Sequence, residues 1–409
     1  MTDRHRLLFL DPGHFHATLT LRTPHPRVAD EIVVYAPDGA ERRDFLALVE
    51  RFNRRATDAT RWRVDVVTTD DPLARLIAEE RGTVVVLAGK NGGKARTIRR
   101  LHDAGFHVLA DKPWLVEASD LDDVRASLAG WPVVTEIMTG RHDVAARVLN
   151  RLVNSPDVFG GFRSEAPALE MASVHHLAKL VDGEPLRRPW WFFDVRVQGR
   201  GVVDIPTHLV DRAQWLVPGE PRLVSARTWA TRVPEDAFRR MTGEPGFPPG
   251  LQPKVEGDTL VYESNAELVY RIGEVVTQAS ARWDLVLPPG GTDSSRLVAH
   301  GRRAAIHLEQ SARTGHQRHL SVEGGSGAAV DAVVRAAQSE FPGLRAEPRG
   351  AGSVEIVIPA ALDGGHEAHF ALVLDQFLRT IDGGRWPADV AARTLAKYAV
   401  LAEAAKLTA

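Results

Sequence analysis

The chain has 409 residues, of which 44% are hydrophobic and 25% are charged, a composition typical of soluble globular proteins. Its 51 basic and 53 acidic residues nearly cancel. Because a polyanion-binding protein usually carries a basic excess, nucleic acid is not expected as a partner. There is no cysteine, which excludes disulfides, a thiolate nucleophile and cysteine-ligated metal centres. No apolar run approaches the roughly 18 residues of a membrane span, and the polar start lacks an apolar signal segment, so a cytoplasmic protein with no membrane partner is expected.

The first 135 residues alternate short apolar runs with helical patterns. The apolar runs, interpreted as strands, are Leu7–Leu10, Glu31–Tyr35, Arg63–Val67, Thr83–Ala88, His107–Ala110 and Trp131–Glu136. The helical stretches are Arg42–Asn53, Pro72–Arg81, Gly93–Gly105 and Ala118–Ala129. Continuous β-branched runs are typical of strands that are buried on both faces. Their alternation with helices predicts right-handed βαβ units in an α/β, doubly wound parallel sheet.

After about residue 140 the pattern changes to longer strand-like runs without intervening helices, which favours a mostly antiparallel open sheet. These runs include Thr259–Tyr262, Ala266–Ile272 and Glu274–Leu287, and two closing helices within 370–407 are predicted at Phe370–Ile381 and Ala388–Leu407. At about 150 residues per domain, the length suggests two domains or three. We expect residues 141–409 to form an α+β domain for substrate binding and oligomerisation. Because an exposed apolar sheet face is costly, we expect a homodimer or homotetramer.

The turn after the first strand reads Asp11-Pro12-Gly13-His14-Phe15-His16 and keeps only the middle glycine of Gly-x-Gly-x-x-Gly. A strand that breaks into a glycine turn and then a helix is the phosphate-binding start of a nucleotide-binding fold. Gly13, His14 and Phe15 are therefore candidate cofactor contacts, and residues 1–140 are expected to form a Rossmann-like dinucleotide-binding domain. An ordinary strand-to-helix turn is the alternative, with both histidines at the surface or in packing.

Two further loops carry candidate cofactor contacts. Asp38 follows the second strand, 25 positions after Gly13 and close to the roughly 20-residue spacing of a ribose-binding carboxylate. A carboxylate there would repel a 2′-phosphate and favour NAD over NADP, whereas a structural Pro-Asp-Gly turn is the alternative. After the fourth strand, the small residue Ala88 would let a flat ligand lie against the strand end. Asn91 could hydrogen-bond ribose or nicotinamide, or cap the next helix.

The fifth strand lies in Ala104-Gly105-Phe106-His107-Val108-Leu109-Ala110-Asp111-Lys112-Pro113. This segment resembles the glucose–fructose oxidoreductase/inositol dehydrogenase family, whose members typically carry Ala-Gly-x-His-Val-x-x-Glu-Lys-Pro here. Asp111 replaces the glutamate. The resemblance implies a cis proline peptide that places Lys112 beside the nicotinamide, with Asp111 and Pro113 as further cofactor contacts. It also implies that Lys112 binds the substrate hydroxyl and tunes the acid–base pair.

A second segment, Gly201-Val202-Val203-Asp204-Ile205-Pro206-Thr207-His208-Leu209-Val210-Asp211, is similar to that family's Gly-Gly-x-x-x-Asp-x-Gly-x-His-x-x-Asp. It departs at Pro206, where the family usually has glycine. Positions i and i+4 share a helix face, so Asp204 and His208 are expected to converge. The resemblance spans roughly residues 5–220 and implies that His208 is the base. A histidine suits this role because the pKa of imidazole lies near the working pH. Asp204 would orient His208 or hold a substrate hydroxyl.

Further candidate substrate contacts are Arg141, His175, His176, Trp191 and His366. Arg141 follows the sixth strand, where the family often has arginine. The spacing of the apolar residues after His175-His176 predicts a helix, on which one histidine could face the pocket. The alternative is that both are surface or core residues, as a helical histidine more often is. The aromatic run around Trp191 suits a sugar face, although such a run is more often core.

Two histidines near the C-terminus raise the question of a metal. His366 and His369 are spaced i and i+3, and could chelate a divalent ion with Glu367 or Asp363. The family resemblance favours substrate contact or domain docking instead, so no metal site is predicted.

The leading hypothesis is an NAD(P)-dependent oxidoreductase that acts on a secondary hydroxyl of a sugar, polyol or glycoside, with NAD favoured over NADP. One alternative is a redox-neutral enzyme whose tightly bound NAD supports transient oxidation followed by elimination or hydrolysis. Another is a non-catalytic nucleotide-binding protein. Retention of Lys112, Asp204 and His208 argues against the last, because a sensor needs no acid–base set.

Overall fold

The computed structural model describes residues 4–79, 81–181, 184–287, 291–350, 352–362 and 364–409. The described residues fall into two units, the first within Met1–Thr139 and Gly365–Tyr398 and the second within Gly140–Gly364 and Ala399–Ala409. The first division falls where the sequence pattern changes. In contrast to the expectation for 141–409, Gly365–Tyr398 groups with the first unit.

The strands, in chain order, are β1 (Leu7–Leu10), β2 (Glu31–Ala36), β3 (Arg63–Thr68), β4 (Val84–Leu87), β5 (His107–Asp111), β6 (Val134–Ile137), β7 (Leu169–Ala178), β8 (Leu180–Val181), β9 (Glu184–Pro185), β10 (Pro221–Pro234), β11 (Val255–Glu256), β12 (Thr259–Ile272), β13 (Val275–Val286), β14 (Ser294–His300), β15 (Ala304–Gln310), β16 (His319–Gly324), β17 (Arg345–Pro348) and β18 (Ser353–Val357). The α-helices are α1 (His16–Leu19), α2 (Ala40–Asn53), α3 (Pro72–Glu79), α4 (Lys94–Asp103), α5 (Leu121–Ser127), α6 (Val144–Val153), α7 (Val195–Gln198), α8 (Pro206–Leu216), α9 (Glu235–Thr242), α10 (Gly327–Ala337), α11 (Gly365–Asp382) and α12 (Ala388–Leu407).

The predicted doubly wound parallel sheet is confirmed in the first unit. Within the described residues it has six strands, in the order β3–β2–β1–β4–β5–β6. Strands β1 and β4 are buried along their whole length, as their unbroken apolar sequences predict. The order reverses between β1 and β4, so these two strands mark the topological switch point of the sheet.

Helix α11 joins this unit because one of its faces is apolar. Phe370, Leu374 and Phe377 repeat at helical spacing and are buried in the same hydrophobic cluster as Phe9 and Val34 of the sheet. This packing is the physical reason why the C-terminal segment belongs with the parallel sheet, although it follows the second unit in sequence.

The second unit contains the predicted, mostly antiparallel sheet. In the described part of the chain the order of its path is β10–β12–β13–β7–β14–β15–β16–β18–β17, with β11 paired to β12. The β13–β7 pair is parallel, and the other neighbouring pairs are antiparallel. None of the helices in the described residues is long and apolar enough to cross a membrane.

A buried charged network ties the end of the first unit to its sheet. Lys397 is 1% exposed and its ammonium pairs with the carboxylate of Glu136, a buried residue of β6. The hydroxyl of Tyr398 also donates to Glu136 and accepts a hydrogen bond of 3.0 Å from the amide of Trp114. The two aromatic rings stack with centroids 5.4 Å apart. Burial and the charge of Glu136 raise the pKa of Tyr398 well above its usual value.

Replacement of this buried cation is expected to be costly. Lys397→Met leaves the charge of Glu136 buried without its ammonium partner, and loss of one member of a buried ion pair costs about 3–5 kcal/mol. Urea unfolding at neutral pH should show a decrease of that size in the free energy of unfolding. Arg125→Ala, which removes an exposed ion pair with Asp122, is the control and should change it by no more than about 0.5 kcal/mol. Equal, small effects of both substitutions would contradict the assignment.

Candidate functional site

The parallel sheet gathers the predicted cofactor contacts along its carboxyl edge. The predicted residues follow four strands, with Gly13, His14 and Phe15 after β1, Asp38 after β2, Ala88 and Asn91 after β4, and Asp111, Lys112 and Pro113 at the end of β5. Because the strands are parallel, all these loops leave the sheet at the same edge. The fold therefore places the predicted set together along one border of the first unit.

The turns after β1 and β4 approach each other closely. The amides of Gly13 and His14 both donate to the carbonyl of Ala88, each at 3.1 Å. A Cβ atom on Gly89 would lie 2.5 Å from the carbonyl oxygen of Asp11, so only glycine fits there. Asp11 itself has a φ of 41°, in the left-handed region that few non-glycine residues adopt. This contact holds the β1 turn against the switch point of the sheet.

The two histidines of the β1 turn share one buried carboxylate. Asp111 is 3% exposed. Its carboxylate lies 3.0 Å from Nδ1 of His14 and 3.0 Å from Nδ1 of His16. Burial by itself would raise the pKa of Asp111, but the two histidines outweigh it and hold that pKa well below the usual value. Burial, together with the neighbouring His16, lowers the pKa of His14 to about 4.

The predicted contacts around Asp111 have partners of their own. The amide of Lys112 donates to the Asp111 carboxylate at 3.0 Å, and the Lys112–Pro113 peptide is cis, as the resemblance implies. Lys94, which the sequence analysis does not single out, is buried at the start of α4. Its ammonium donates to Oδ1 of Asn91 at 2.5 Å and to the Asp111 carbonyl at 3.1 Å. Asn91 is thus held by a buried lysine, and the sequence signal for this is a lysine three residues after the asparagine.

Asp38 lies in a different environment, because its side chain is 66% exposed. Its carboxylate is 2.5 Å from the guanidinium of Arg42 and 3.3 Å from that of Arg43, both in the first turn of α2. The carboxylate therefore stands at the carboxyl end of β2 with two cations beside it. Neither arginine was expected at the site.

In the second unit, Asp204 precedes helix α8 instead of lying within it. The helix begins at Pro206, since proline is favoured in the first helical turn, where its missing N–H costs no hydrogen bond. The expected i and i+4 relation of Asp204 and His208 on one helix is therefore wrong. Asp204 is buried and His208 is partly exposed. A Cβ on Gly201 would lie 2.6 Å from the backbone of β12, so the glycine lets this turn pack directly on the sheet.

A buried arginine lies near Asp204. Burial lowers the pKa of Arg188 to about 10, and the charges of Tyr262, Asp293 and, least of the three, Asp204 oppose that decrease. The Arg188 guanidinium lies 4.4 Å from the ring centroid of Phe192 and 5.2 Å from that of Trp283, in cation–π geometry. It also donates to the backbone carbonyl of His176 at 3.0 Å. Sequence reasoning passed over Arg188, whose one signal is its place beside the aromatic run.

His175 and His176 lie in strand β7 and not in a helix, so the helix prediction at this point is wrong. Apolar residues at helical spacing also occur in a strand that is buried on parts of both faces. The carboxylate of Asp293 lies 3.2 Å from Nδ1 of His175 and 3.1 Å from Nδ1 of His176. Nε2 of His175 is 2.9 Å from the hydroxyl of Ser173. Lys179 also pairs with Asp293 at 2.5 Å.

The remaining candidates have mainly structural surroundings. Arg141 makes two hydrogen bonds of 2.8 and 2.9 Å to the carboxylate of Asp211. Trp191 is buried in the aromatic core of the second unit. His369 is buried in α11, whereas Asp363 and the side chain of His366 lie outside the described residues.

A family model described as "Putative oxidoreductase C terminal domain" matches residues 148–409. A "putative oxidoreductase" from Parabacteroides merdae is 34% identical, with a TM-score of 0.93, over 99% of this chain and 97% of that chain. No protein of curated function matches the sequence.

Two more distant structures share the fold. A "putative oxidoreductase" from Erwinia carotovora is 15% identical, with a TM-score of 0.66, over 99% of both chains. A levoglucosan dehydrogenase in complex with NADH and levoglucosan is 15% identical, with a TM-score of 0.63, over 99% of this chain and 98% of that chain. At this identity the likeness shows the fold alone. The family model and the Parabacteroides protein, by contrast, establish the family. This chain belongs to the family of proteins that carry this oxidoreductase C-terminal domain.

Proposed function

We propose that the protein is an NAD(P)-dependent oxidoreductase of the glucose–fructose oxidoreductase/inositol dehydrogenase type, acting on a secondary hydroxyl of a sugar, polyol or glycoside. The strand order of the parallel sheet carries the proposal, because open α/β sheets bind ligands outside the carboxyl ends of the strands where the order reverses. The levoglucosan dehydrogenase of the same fold is a complex with NADH and a carbohydrate, which supports the same classes of ligand here.

The residues along that edge fit a dinucleotide. The exposed carboxylate of Asp38 at the end of β2 suits the ribose hydroxyls, and it favours NAD because it would repel a 2′-phosphate. Ala88 and the buried Asn91 line the loop after β4. The amides of Gly13 and His14 are already donated to Ala88, so we assign this turn to close packing against the cofactor and not to phosphate binding through those two amides.

Three side chains supply the proposed acid–base chemistry. The nicotinamide accepts the hydride when it is bound, and the protein contributes position and charge. His208 takes the hydroxyl proton, for which an imidazole is suited near neutral pH. The ammonium of Lys112, at the end of β5, stabilises the negative charge that develops on the substrate oxygen. The buried carboxylate of Asp204 orients the base or holds a neighbouring hydroxyl.

The substrate contacts are proposed with support of different kinds. The side chains of His175 and His176 are both oriented by the carboxylate of Asp293, so their imidazole nitrogen atoms have fixed positions on β7. Arg141 is oriented by its two bonds to Asp211. Trp191 is supported only by its aromatic neighbourhood, and His366 only by the sequence. A homodimer or homotetramer stays a prediction.

Loss of the proposed base should separate chemistry from binding. His208→Ala is expected to lower turnover by about 10² or more, the usual contribution of general acid–base catalysis, with nearly unchanged NAD affinity. The measurement is the rate of NADH formation at saturating cofactor with a panel of sugars, polyols and glycosides. His319→Ala, which alters a partly exposed histidine paired with Glu355, should retain wild-type turnover. Unchanged turnover in His208→Ala would remove His208 from the reaction.

The exposed carboxylate of Asp38, after β2, should determine the preference for NAD over NADP. Asp38→Ala removes a hydrogen bond to ribose and leaves Arg42 and Arg43 able to attract a 2′-phosphate. Because a charged hydrogen bond contributes about 1.5–3 kcal/mol, NAD affinity should fall by about tenfold or more while discrimination against NADP relaxes. Calorimetric titration with both dinucleotides measures this. Asp103→Ala, which removes an exposed pair with Arg99, is the control. Equal affinities in Asp38→Ala and the wild type would exclude the ribose role.

A further inference from the structure

The β1 turn carries two histidines where a glycine-rich phosphate turn would carry small residues. His14 and His16 flank Phe15 in the sequence Gly13-His14-Phe15-His16, and neither has a role in the proposed acid–base chemistry. Side chains of this size at a phosphate turn need another explanation. Imidazole nitrogen atoms beside a carboxylate are the ligands that transition metals prefer in proteins.

The three side chains have the geometry of a metal-ligand set. In the described part of the chain, His14, His16 and Asp111 form a group whose ligand atoms all lie within 4.8 Å of one another. The Nδ1–carboxylate distances are 3.0 Å for both histidines. Neighbouring ligands that bind one ion at about 2.0–2.2 Å, at tetrahedral or octahedral angles, lie about 2.8–3.6 Å apart. The two nitrogen–carboxylate distances therefore already match those between neighbouring ligands around one ion.

The surrounding structure holds these ligands in place. The amide of His14 donates to Ala88, and the hydroxyl of Thr18 donates to the carbonyl of Phe15 at 2.7 Å. The ring of His16 packs against that of Phe370 with centroids 4.9 Å apart. Asp111 is fixed because it is the last residue of a buried strand. A preformed set of ligands avoids the entropic cost of ordering them when the ion binds.

We infer that His14, His16 and Asp111 bind a divalent transition metal ion of the zinc class. Two nitrogen ligands and one oxygen ligand disfavour magnesium and calcium, which take oxygen ligands. Three protein ligands leave coordination positions open for water or for a hydroxyl or carboxylate oxygen of a small molecule. The side chains of His14 and His16 are 26% and 13% exposed, so the group can be reached from solvent. The site shares His14 and Asp111 with the predicted cofactor contacts, but binding of the metal ion itself requires no dinucleotide.

The metal-free alternative is a hydrogen-bond network in which both Nδ1–H groups donate to Asp111. The two cases differ in a direct measurement. Full-length protein, purified without an affinity tag, is analysed for metals by mass spectrometry, stripped with a chelator and titrated with Co²⁺ in the absence of dinucleotide. We expect about one equivalent of saturable Co²⁺ with the visible absorption of a nitrogen- and oxygen-ligated ion, and competition by Zn²⁺.

Matched variants locate the site. His16→Gln and Asp111→Asn should each weaken Co²⁺ binding by more than about 100-fold, beyond the roughly 10–100-fold that loss of an outer partner costs. His319→Gln, which removes a histidine paired with Glu355 at 3.0 Å, should bind Co²⁺ like the wild type.

Circular dichroism of the stripped proteins checks folding, and His14→Gln replaces Asp111→Asn if the latter does not fold. Absence of saturable binding in the wild type, or wild-type binding by His16→Gln, would overturn the inference. NAD titrations of the same proteins are read separately, so failure of the metal site and failure of the dinucleotide site are distinguishable.

Discussion

The carboxylate of Asp111 is the group around which the carboxyl edge of the first unit is organised. A carboxylate that is 3% exposed needs hydrogen-bond donors, since burial of an unpaired charge costs several kcal/mol. The donors come from His14 and His16, which follow β1. Since β4 lies between β1 and β5 in the sheet, these hydrogen bonds connect the ends of two strands that are not neighbours. The backbone carbonyl of Asp111 accepts a hydrogen bond from the ammonium of Lys94, which also donates to the side chain of Asn91. The side chain and the backbone of Asp111 thus connect the loops after β1, β4 and β5 at the edge where the cofactor is proposed to bind.

The elements of the parallel sheet could be predicted because their signal is local. The run Leu7–Leu10 was predicted with its observed bounds, and the helix predicted at Pro72–Arg81 is present as Pro72–Glu79. Burial on both faces requires continuous apolar residues, so the sequence of each such strand carries its own evidence. The helix predicted around His175 is wrong because the local signal there is ambiguous. The apolar residues of β7 have a spacing that is compatible with both a helix and a strand. The start of α8 at Pro206 could have been predicted from the preference of proline for the first helical turn.

The partners of the buried charges could not be predicted, because they are distant in sequence. Asp293 is 117 positions from His176, and Lys397 is 261 positions from Glu136. Such pairs depend on which strands and helices become neighbours, and composition or periodicity contains no information about that. Arg188 is a similar case with respect to the ring of Trp283, which lies on a distant strand of the sequence. The residues that rest on the family resemblance, Asp204 and His208 among them, were selected by motif, and the comparisons show the family without assigning their roles.

The most direct test of the dinucleotide account is calorimetric titration of nucleotide-stripped protein with NAD. Saturable binding of about one NAD per chain is expected, because the strand order and the loops at the carboxyl edge of β1, β2, β4 and β5 make up the proposed dinucleotide site. Absence of NAD binding, and of any dinucleotide released when the freshly purified protein is denatured, would contradict the central claim that this chain is a nicotinamide-dependent oxidoreductase.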